Sequence, residues 1–131
     1  MSGIHGWLFV DKPAGITSRD VVNVISKSLK EKKVGHAGTL DPMASGLLAI
    51  AIGEATKSIF VMQNMLKSYR FKIKWGVSTS TDDREGKTLE ISENRPDKLQ
   101  ILNIIPLFLG QISQMPPKFS ALKLNGIRSY K

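Results

Sequence analysis

Cysteine is absent from this 131-residue sequence, and that absence excludes disulfide bonds and thiolate metal sites. Histidine is almost as scarce, because only His5 and His36 are present. Two histidines without cysteine form no ligand cluster of recognisable spacing. We therefore expect no bound metal ion, and we assign no cofactor.

Long apolar runs are also missing. The longest, residues 47–52, is too short to span a bilayer and is typical of a core strand. The N-terminus lacks the basic and then apolar pattern of a signal peptide. From these features, together with the absence of cysteine, we expect no membrane association and a cytoplasmic location.

Acidic residues are few relative to basic ones. The sequence contains 19 Lys and Arg against 11 Asp and Glu, which gives a net charge of +8. Such an excess attracts polyanions and makes their binding depend on salt. Nucleic acid is therefore the first candidate partner and a membrane surface the second.

Hydrophobic patterning predicts one domain of mixed α/β (α+β) class, with a largely antiparallel sheet and flanking helices. Residues 6–10 and 47–52 indicate strands, the second buried on both faces. A helix is expected over residues 19–32, capped by Thr17 or Ser18. Further helices are predicted at 54–66 and 97–104, and further strands at 69–77, 88–91 and 120–124, with a polar loop at 79–86 and a hairpin turn at Asn125-Gly126.

One segment stands out as a site for chemistry. Residues 35–46 read G-H-A-G-T-L-D-P-M-A-S-G, with Asp41 as the single acid. Glycines let another molecule approach the backbone closely, and Pro42 biases Asp41 away from the α region. A carboxylate on such a turn suits covalent chemistry, although Asp before Pro is also a common way to begin a helix.

This segment resembles the catalytic motif of the TruB family of tRNA pseudouridine synthases, G-H-x-G-T-L-D-P-x-A-x-G. Five other segments resemble further motifs of that family, in the same order and at the same spacing. They are D-K-P-A-G-I-T-S (11–18), I-G-E-A-T-K (52–57), K-S-Y-R-F (67–71), T-S-T-D-D-R-E-G (79–86) and P-P-K-F-S-A-L-K-L-N-G-I-R-S-Y (116–130).

The resemblance implies a pseudouridine synthase-like fold and isomerisation of the T-loop uridine, position 55, of tRNA. It assigns Asp41 as the catalytic nucleophile, with His36 and Tyr69 binding the substrate RNA. Asp83 matches the acid of the family's electrostatic network around that nucleophile. Lys12, Ser120, Lys123 and Arg128 are assigned to RNA contacts or to support of the loop.

The same comparison suggests that residues 1–131 are the N-terminal portion of the catalytic domain. The remainder of that domain, including an arginine that would pair with Asp41, and a C-terminal RNA-binding domain are expected to be absent. We therefore expect the chain to be truncated relative to the family fold and inactive by itself. Its expected partner is the T-arm stem-loop of tRNA, with no obligate protein partner.

Two other functions are compatible with the residues. A basic RNA-binding scaffold without catalysis would explain the charge. A hydrolase built on Asp41 and Asp83 would need the two acids to form a close pair or to hold a metal ion.

Overall fold

The computed structural model describes residues 3–113 and, for their backbone alone, 123–124 and 127–128. The chain divides into two compact units, residues 1–69 and 70–131. The first contains three strands and two α-helices, and the second contains two pairs of strands and one α-helix. The predicted mixed α/β class is confirmed, and every strand pair described is antiparallel.

A three-stranded sheet forms the centre of the first unit. Its strands are β1 (Gly6–Lys12), β2 (Val34–Ala37) and β3 (Gly46–Ile52), in the order β1-β3-β2. Strand β3 is therefore central, and its register pairs Leu8 and His36 with Ile50 from opposite sides. The prediction of strands at 6–10 and 47–52 is confirmed, whereas β2 was not predicted.

One helix, α1 (Ser18–Leu29), packs its apolar stripe against this sheet. Thr17 caps it: its side chain accepts a hydrogen bond from the Asp20 amide at 3.0 Å, and the Asp20 carboxylate accepts one from the Thr17 amide at 2.9 Å. The helix ends at Leu29, three residues earlier than predicted, and Lys30 caps it in the left-handed conformation. The core consists of Val21 and Val22 from α1 with residues of β3, namely Leu48, Ile50 and Ile52.

The prediction of one helix over 54–66 is only partly right. The structure has a 3₁₀ helix (Gly53–Ser58) followed by a short α-helix, α2 (Ile59–Gln63). Phe60, an apolar residue of α2, is 63% exposed. The hydroxyls of Thr56 and Ser58 each donate to the backbone carbonyl three residues earlier, at 2.7 and 2.8 Å, which favours the tighter winding.

The predicted strand at 69–77 is wrong for most of its length. Residues 66–74 have no regular structure, and the side chains of Tyr69 and Phe71 are largely exposed. An alternating pattern gives a strand a suitable face, but a strand also needs a neighbour for its amides and carbonyls. No strand in the described part of the chain pairs with these residues.

The second unit begins its regular structure with β4 (Val77–Thr79), which pairs with β5 (Thr88–Ile91) around the predicted loop. Helix α3 (Lys98–Ile104) follows, capped by Asp97 in a reciprocal pair with Gln100, and a 3₁₀ turn (Ile105–Phe108) containing Pro106 follows it. The strand at 88–91 and the helix at 97–104 were predicted correctly, whereas β4 overlaps the predicted strand at 69–77 only at Val77, and the 3₁₀ turn was not predicted.

Two short strands, β6 (Lys123–Leu124) and β7 (Ile127–Arg128), pair with each other. The predicted strand at 120–124 is thus found at its end, whereas Ser120 and the Asn125-Gly126 turn lie outside the described residues. Over residues 3–113, no helix is long and apolar enough to cross a membrane.

Candidate active site

The glycine-rich segment around Asp41, residues 35–46, contains the connection between β2 and β3. Its central residues form a turn, in which the Asp41 carbonyl accepts a hydrogen bond from the Ala44 amide at 3.0 Å. Pro42 occupies the second position of this turn, where its fixed φ is favoured. No helix follows, so the interpretation of Asp41 as a helix cap is wrong.

The residue before Asp41 is held by a single buried hydroxyl. Ser18 Oγ accepts a hydrogen bond from the Leu40 amide and donates one to the Leu40 carbonyl, both at 2.9 Å. A serine hydroxyl has one proton to donate and lone pairs to accept with, so both bonds form together. Ser18 is only 2% exposed and begins α1, which fixes its position.

The residue after Asp41 is held by the D-K-P-A-G-I-T-S segment. The Pro42 carbonyl accepts hydrogen bonds from the Gly15 amide at 2.7 Å and from Lys12 Nζ at 3.4 Å. Lys12 is fully buried, and its Nζ also donates to the carbonyls of Pro13 and Ile16, at 2.9 and 2.8 Å. Since all three protons have acceptors, the geometry favours Lys12 as support for the loop rather than an RNA contact.

Asp41 therefore lies between two restrained peptide groups with its side chain exposed. The Leu40 carbonyl belongs to the preceding peptide group, and the Asp41 carbonyl belongs to the next. In the described part of the chain the Asp41 carboxylate forms no ion pair. The arrangement presents an exposed carboxylate on a restrained backbone.

His36 lies on β2 just before the loop and is half-buried. Its Nδ1 donates a hydrogen bond to the Gly38 carbonyl at 2.5 Å. A carbonyl can only accept, so this bond places the proton of the neutral ring on Nδ1. Nε2 is then left as the nitrogen that can accept a hydrogen bond from another molecule.

Tyr69 is the last residue of the first unit and is 69% exposed. It belongs to the irregular segment at 66–74 rather than to the strand that the sequence predicts. Its ring is open to stacking by another molecule.

Asp83 lies in the second unit, where it organises its own turn. Its Oδ1 accepts hydrogen bonds from the Thr81 hydroxyl at 2.5 Å and the Glu85 amide at 2.8 Å. The Thr81 hydroxyl is the main reason that the pKa of the Asp83 carboxyl is below its ordinary value. This carboxylate takes part in the structure of its own turn, whereas that of Asp41 forms no ion pair within the described residues.

The three remaining predicted residues lie near the end of the chain. Lys123 and Arg128 are paired across β6 and β7, so both belong to one register position. Ser120 is outside the described residues. Among residues that the structure describes, no group of three or more His, Asp and Glu side chains is placed to hold a metal ion.

Ser18 is the functional candidate that sequence reasoning missed. It was considered as an alternative helix cap, a role that Thr17 performs, and as the last residue of the segment 11–18, without a role of its own. One signal was present, because two hydroxyl residues stand at the predicted helix start and a single cap needs only one of them. Its partner, Leu40, lies 22 residues away, so the contact follows from the packing of α1 on the sheet.

Comparison with known proteins gives close relatives over nearly the whole chain. The tRNA pseudouridine synthase B of Paracoccus denitrificans (strain Pd 1222) is 52% identical over 127 residues, which cover 97% of this chain and 43% of that protein. The protein of the same name from Rhodospirillum rubrum is 51% identical, covering 97% and 41%. That from Ruegeria pomeroyi is 53% identical, covering 98% and 42%. The chain thus spans less than half the length of these relatives.

A solved H/ACA RNP bound to a substrate RNA containing 2′-deoxyuridine also has a similar chain. The match covers 43% of this chain and 18% of that chain, at 46% identity and a TM-score of 0.42. A family model described as the N-terminal domain of the TruB family pseudouridylate synthases matches residues 26–131. This chain therefore belongs to the TruB family.

Proposed function

We propose that this chain is the N-terminal portion of the catalytic domain of a tRNA pseudouridine synthase, and that Asp41 is its nucleophile. The observation that carries the proposal is the loop around Asp41. Its flanking residues are held by Ser18, Gly15 and Lys12, while its carboxylate is exposed. This is the geometry of a pre-oriented reactive group, in a family named for pseudouridylate synthesis.

The reaction breaks the bond between ribose C1′ and uracil N1 and forms a bond between C1′ and C5. The proton on C5 is lost, and N1 gains a proton, so the product is an isomer of the substrate. A carboxylate can assist by adding to the base, by bonding to C1′, or by removing a proton from the sugar. In each route Asp41 must begin as the ionised form.

Solvent keeps an exposed carboxylate ionised, but a base that covers it removes that water and favours protonation. A cationic partner would oppose this effect. In the described part of the chain no lysine or arginine pairs with Asp41. We propose that the arginine implied by the family resemblance supplies that charge from outside these 131 residues.

The uridine in a folded RNA must leave its stack before Asp41 can reach it. We propose that His36 contacts the RNA beside the displaced nucleotide, with Nε2 as its free acceptor. Tyr69 would stack on the displaced base or reach the sugar with its hydroxyl. Asp83 is proposed to join the electrostatic network of Asp41, and Ser120, Lys123 and Arg128 to contact phosphate and sugar.

The substrate that we propose is the T-arm stem-loop of tRNA, with the reacting uridine at position 55. The names of the relatives support tRNA as the substrate class, and the net charge of +8 suits a polyanion. We propose a cytoplasmic location, since an enzyme of this kind acts where its tRNA is found.

Tritium release tests this function, because the hydrogen on C5 leaves when C5 bonds to the ribose. The full-length protein should release tritium from a T-arm stem-loop that carries 5-tritiated uridine, and a hairpin with cytidine at position 55 is the control. Release from both RNAs, or from neither, would contradict the proposal. Binding without release would favour the non-catalytic scaffold.

We further propose that residues 1–131 alone do not turn over, since the relatives are more than twice as long. The same assay on the 131-residue chain checks this. Sustained release by that chain would show that its own residues complete the site.

A further inference from the structure

We infer that Ser18 is a positioning residue for the isomerisation, acting through Leu40 on the direction of the Asp41 carboxylate. The inference rests on the proposed function. It assigns to Ser18 a role distinct from that of Thr17, its neighbour, which caps α1. Ser18 does not itself touch the reacting atoms.

The backbone dihedral angles of Asp41 are both restrained by hydrogen bonds. Its φ is set by the orientation of the Leu40–Asp41 peptide group, whose carbonyl accepts the Ser18 hydroxyl proton. Its ψ is set by the following peptide group, whose carbonyl accepts the Ala44 amide. With both groups restrained, only side-chain rotation remains for the carboxylate.

A single hydroxyl, that of Ser18, is enough to restrain the backbone of Leu40. It reaches both the amide and the carbonyl of Leu40, each at 2.9 Å. A single oxygen can do so only where the two groups point to the same side, as they do in extended backbone. Ser18 thus takes the place of a neighbouring strand for one residue, where the β2–β3 pairing has already ended.

The position of the Ser18 hydroxyl is itself rigid. Ser18 is 2% exposed, and the residues that follow it on α1, Val21 and Val22, belong to the core. The hydroxyl is therefore tied to the most buried part of the first unit. Without it, the partly buried amide and carbonyl of Leu40 lose their shared partner, and the loop gains freedom at the residue next to Asp41.

Ser18→Ala tests this role, with Thr17→Ala as the matched control. Both variants remove a hydroxyl at the start of α1, but within the described residues the Thr17 hydroxyl bonds only to Asp20. In the full-length protein acting on the T-arm stem-loop, Ser18→Ala should lower kcat on the order of 100-fold and change KM by less than about threefold. Thr17→Ala should leave kcat within about threefold of the wild type, even if it lowers Tm.

Amide hydrogen exchange supplies a readout that does not depend on activity. The Leu40 amide should exchange faster in Ser18→Ala than in the wild type. Its exchange rate in Thr17→Ala should equal that of the wild type. If Ser18→Ala does not fold, Ser18→Cys carries the test, because its side chain has a similar shape but is a weak donor. Ser18→Cys should keep the Tm of the wild type, and its kcat should fall by less than the loss predicted for Ser18→Ala.

Folded Ser18 variants with wild-type kcat would overturn the inference and leave the proposed function intact. An equal loss of kcat in Thr17→Ala and Ser18→Ala would also overturn it, since a damaged helix start would then explain both. A wild-type protein that does not convert the RNA at all would instead refute the proposed function.

Discussion

The carboxylate of Asp41 differs from those of Asp20, Asp83 and Asp97 in its use by the fold. Asp20 and Asp97 take part in capping boxes, and Asp83 accepts hydrogen bonds within its own turn. Asp41 contributes its backbone to a turn, while its side chain is exposed and unpaired within the described residues. A carboxylate without a structural role is available for chemistry.

The residue types at this site were predictable, but their supports were only partly so. Asp41, His36 and Lys12 stand in motifs that are visible in the sequence. The hydrogen bonds from Lys12 and Ser18 to residues 22 or more positions away depend on how α1 and β1 pack, and no local pattern encodes them. The engagement of Asp83 by Thr81 and Glu85 likewise follows from the shape of one turn.

The pH dependence of stability has an identifiable contributor in Glu54. Lys33 first, and Lys57 second, lower the pKa of Glu54 from 4.5 to about 2 by hydrogen bonding and charge. Because the folded-state pKa is depressed, the ion pairs stabilise the folded chain above pH 4.5. Their contribution is lost as the pH falls from there through about 2.

We predict that Glu54→Gln flattens this part of the profile. Tm of the wild type should fall more steeply than that of the variant between pH 4.5 and 2, and 1 M salt should reduce the difference, since these charges are exposed. Glu90→Gln is the control, because Glu90 is exposed on β5. If Tm falls with pH equally in the wild type and in Glu54→Gln, the ion pairs of Glu54 do not contribute to the pH dependence of stability.

At the scale of elements, the sequence was most informative where local chemistry decides. The caps of α1 and α3 are encoded within four residues, and each helix begins within one residue of its predicted start. The segment at 69–77 has the alternating sequence of a strand, but most of it has no strand partner among the described residues. Strand β2 has a partner, but two of its residues are flanked by glycines and its sequence shows little of a strand pattern. Pairing is a property of the assembled sheet, which explains both errors.

Gly53, the first residue of the 3₁₀ helix that follows β3, is a position where the backbone requires glycine. Its φ is 60°, and a Cβ there would overlap the His5 ring and the Ile4 carbonyl. We predict that Gly53→Ala lowers the free energy of unfolding by about 3 kcal/mol, from left-handed strain and the overlap together. Urea unfolding followed by circular dichroism measures it.

The control is Gly6→Ala at the start of β1. Gly6 also has a positive φ, 154°, but no atom lies within 4 Å of an added Cβ. Its cost should be about 1 kcal/mol, that of strain alone. Equal losses in the two variants would mean that the overlap at Gly53 relaxes freely.

At the scale of the whole chain, the buried residues among those that the structure describes all belong to the first of the two units. The core residues are in α1 and β3, whereas every described residue of 70–113 is at least partly exposed. Since apolar burial is the main source of stability, the two units should differ in their resistance to opening.

Amide hydrogen exchange of the 131-residue chain checks this expectation. Amides of β3 should exchange roughly 100-fold more slowly than those of β5 and α3. Equal protection in the two units would contradict it, because it would require burial in the second unit that the described residues do not have.

Charge is also a property of the whole chain. Residues 1–69 carry eight Lys and Arg against five Asp and Glu, and residues 70–131 carry eleven against six. Both units are therefore basic, which suits a polyanionic substrate that contacts either of them. This balance was fully readable from the sequence, but it does not distinguish a catalyst from a scaffold.

The most direct test of the account is the conversion of the T-arm uridine by Asp41→Asn in the full-length protein. Asp11→Asn is the matched control, since Asp11 is an exposed aspartate of the same unit and the charge change is identical. We predict that Asp11→Asn forms pseudouridine at position 55 at the wild-type single-turnover rate. Asp41→Asn should bind the same RNA and form none. Pseudouridine formation by Asp41→Asn at a rate near that of Asp11→Asn would contradict the account.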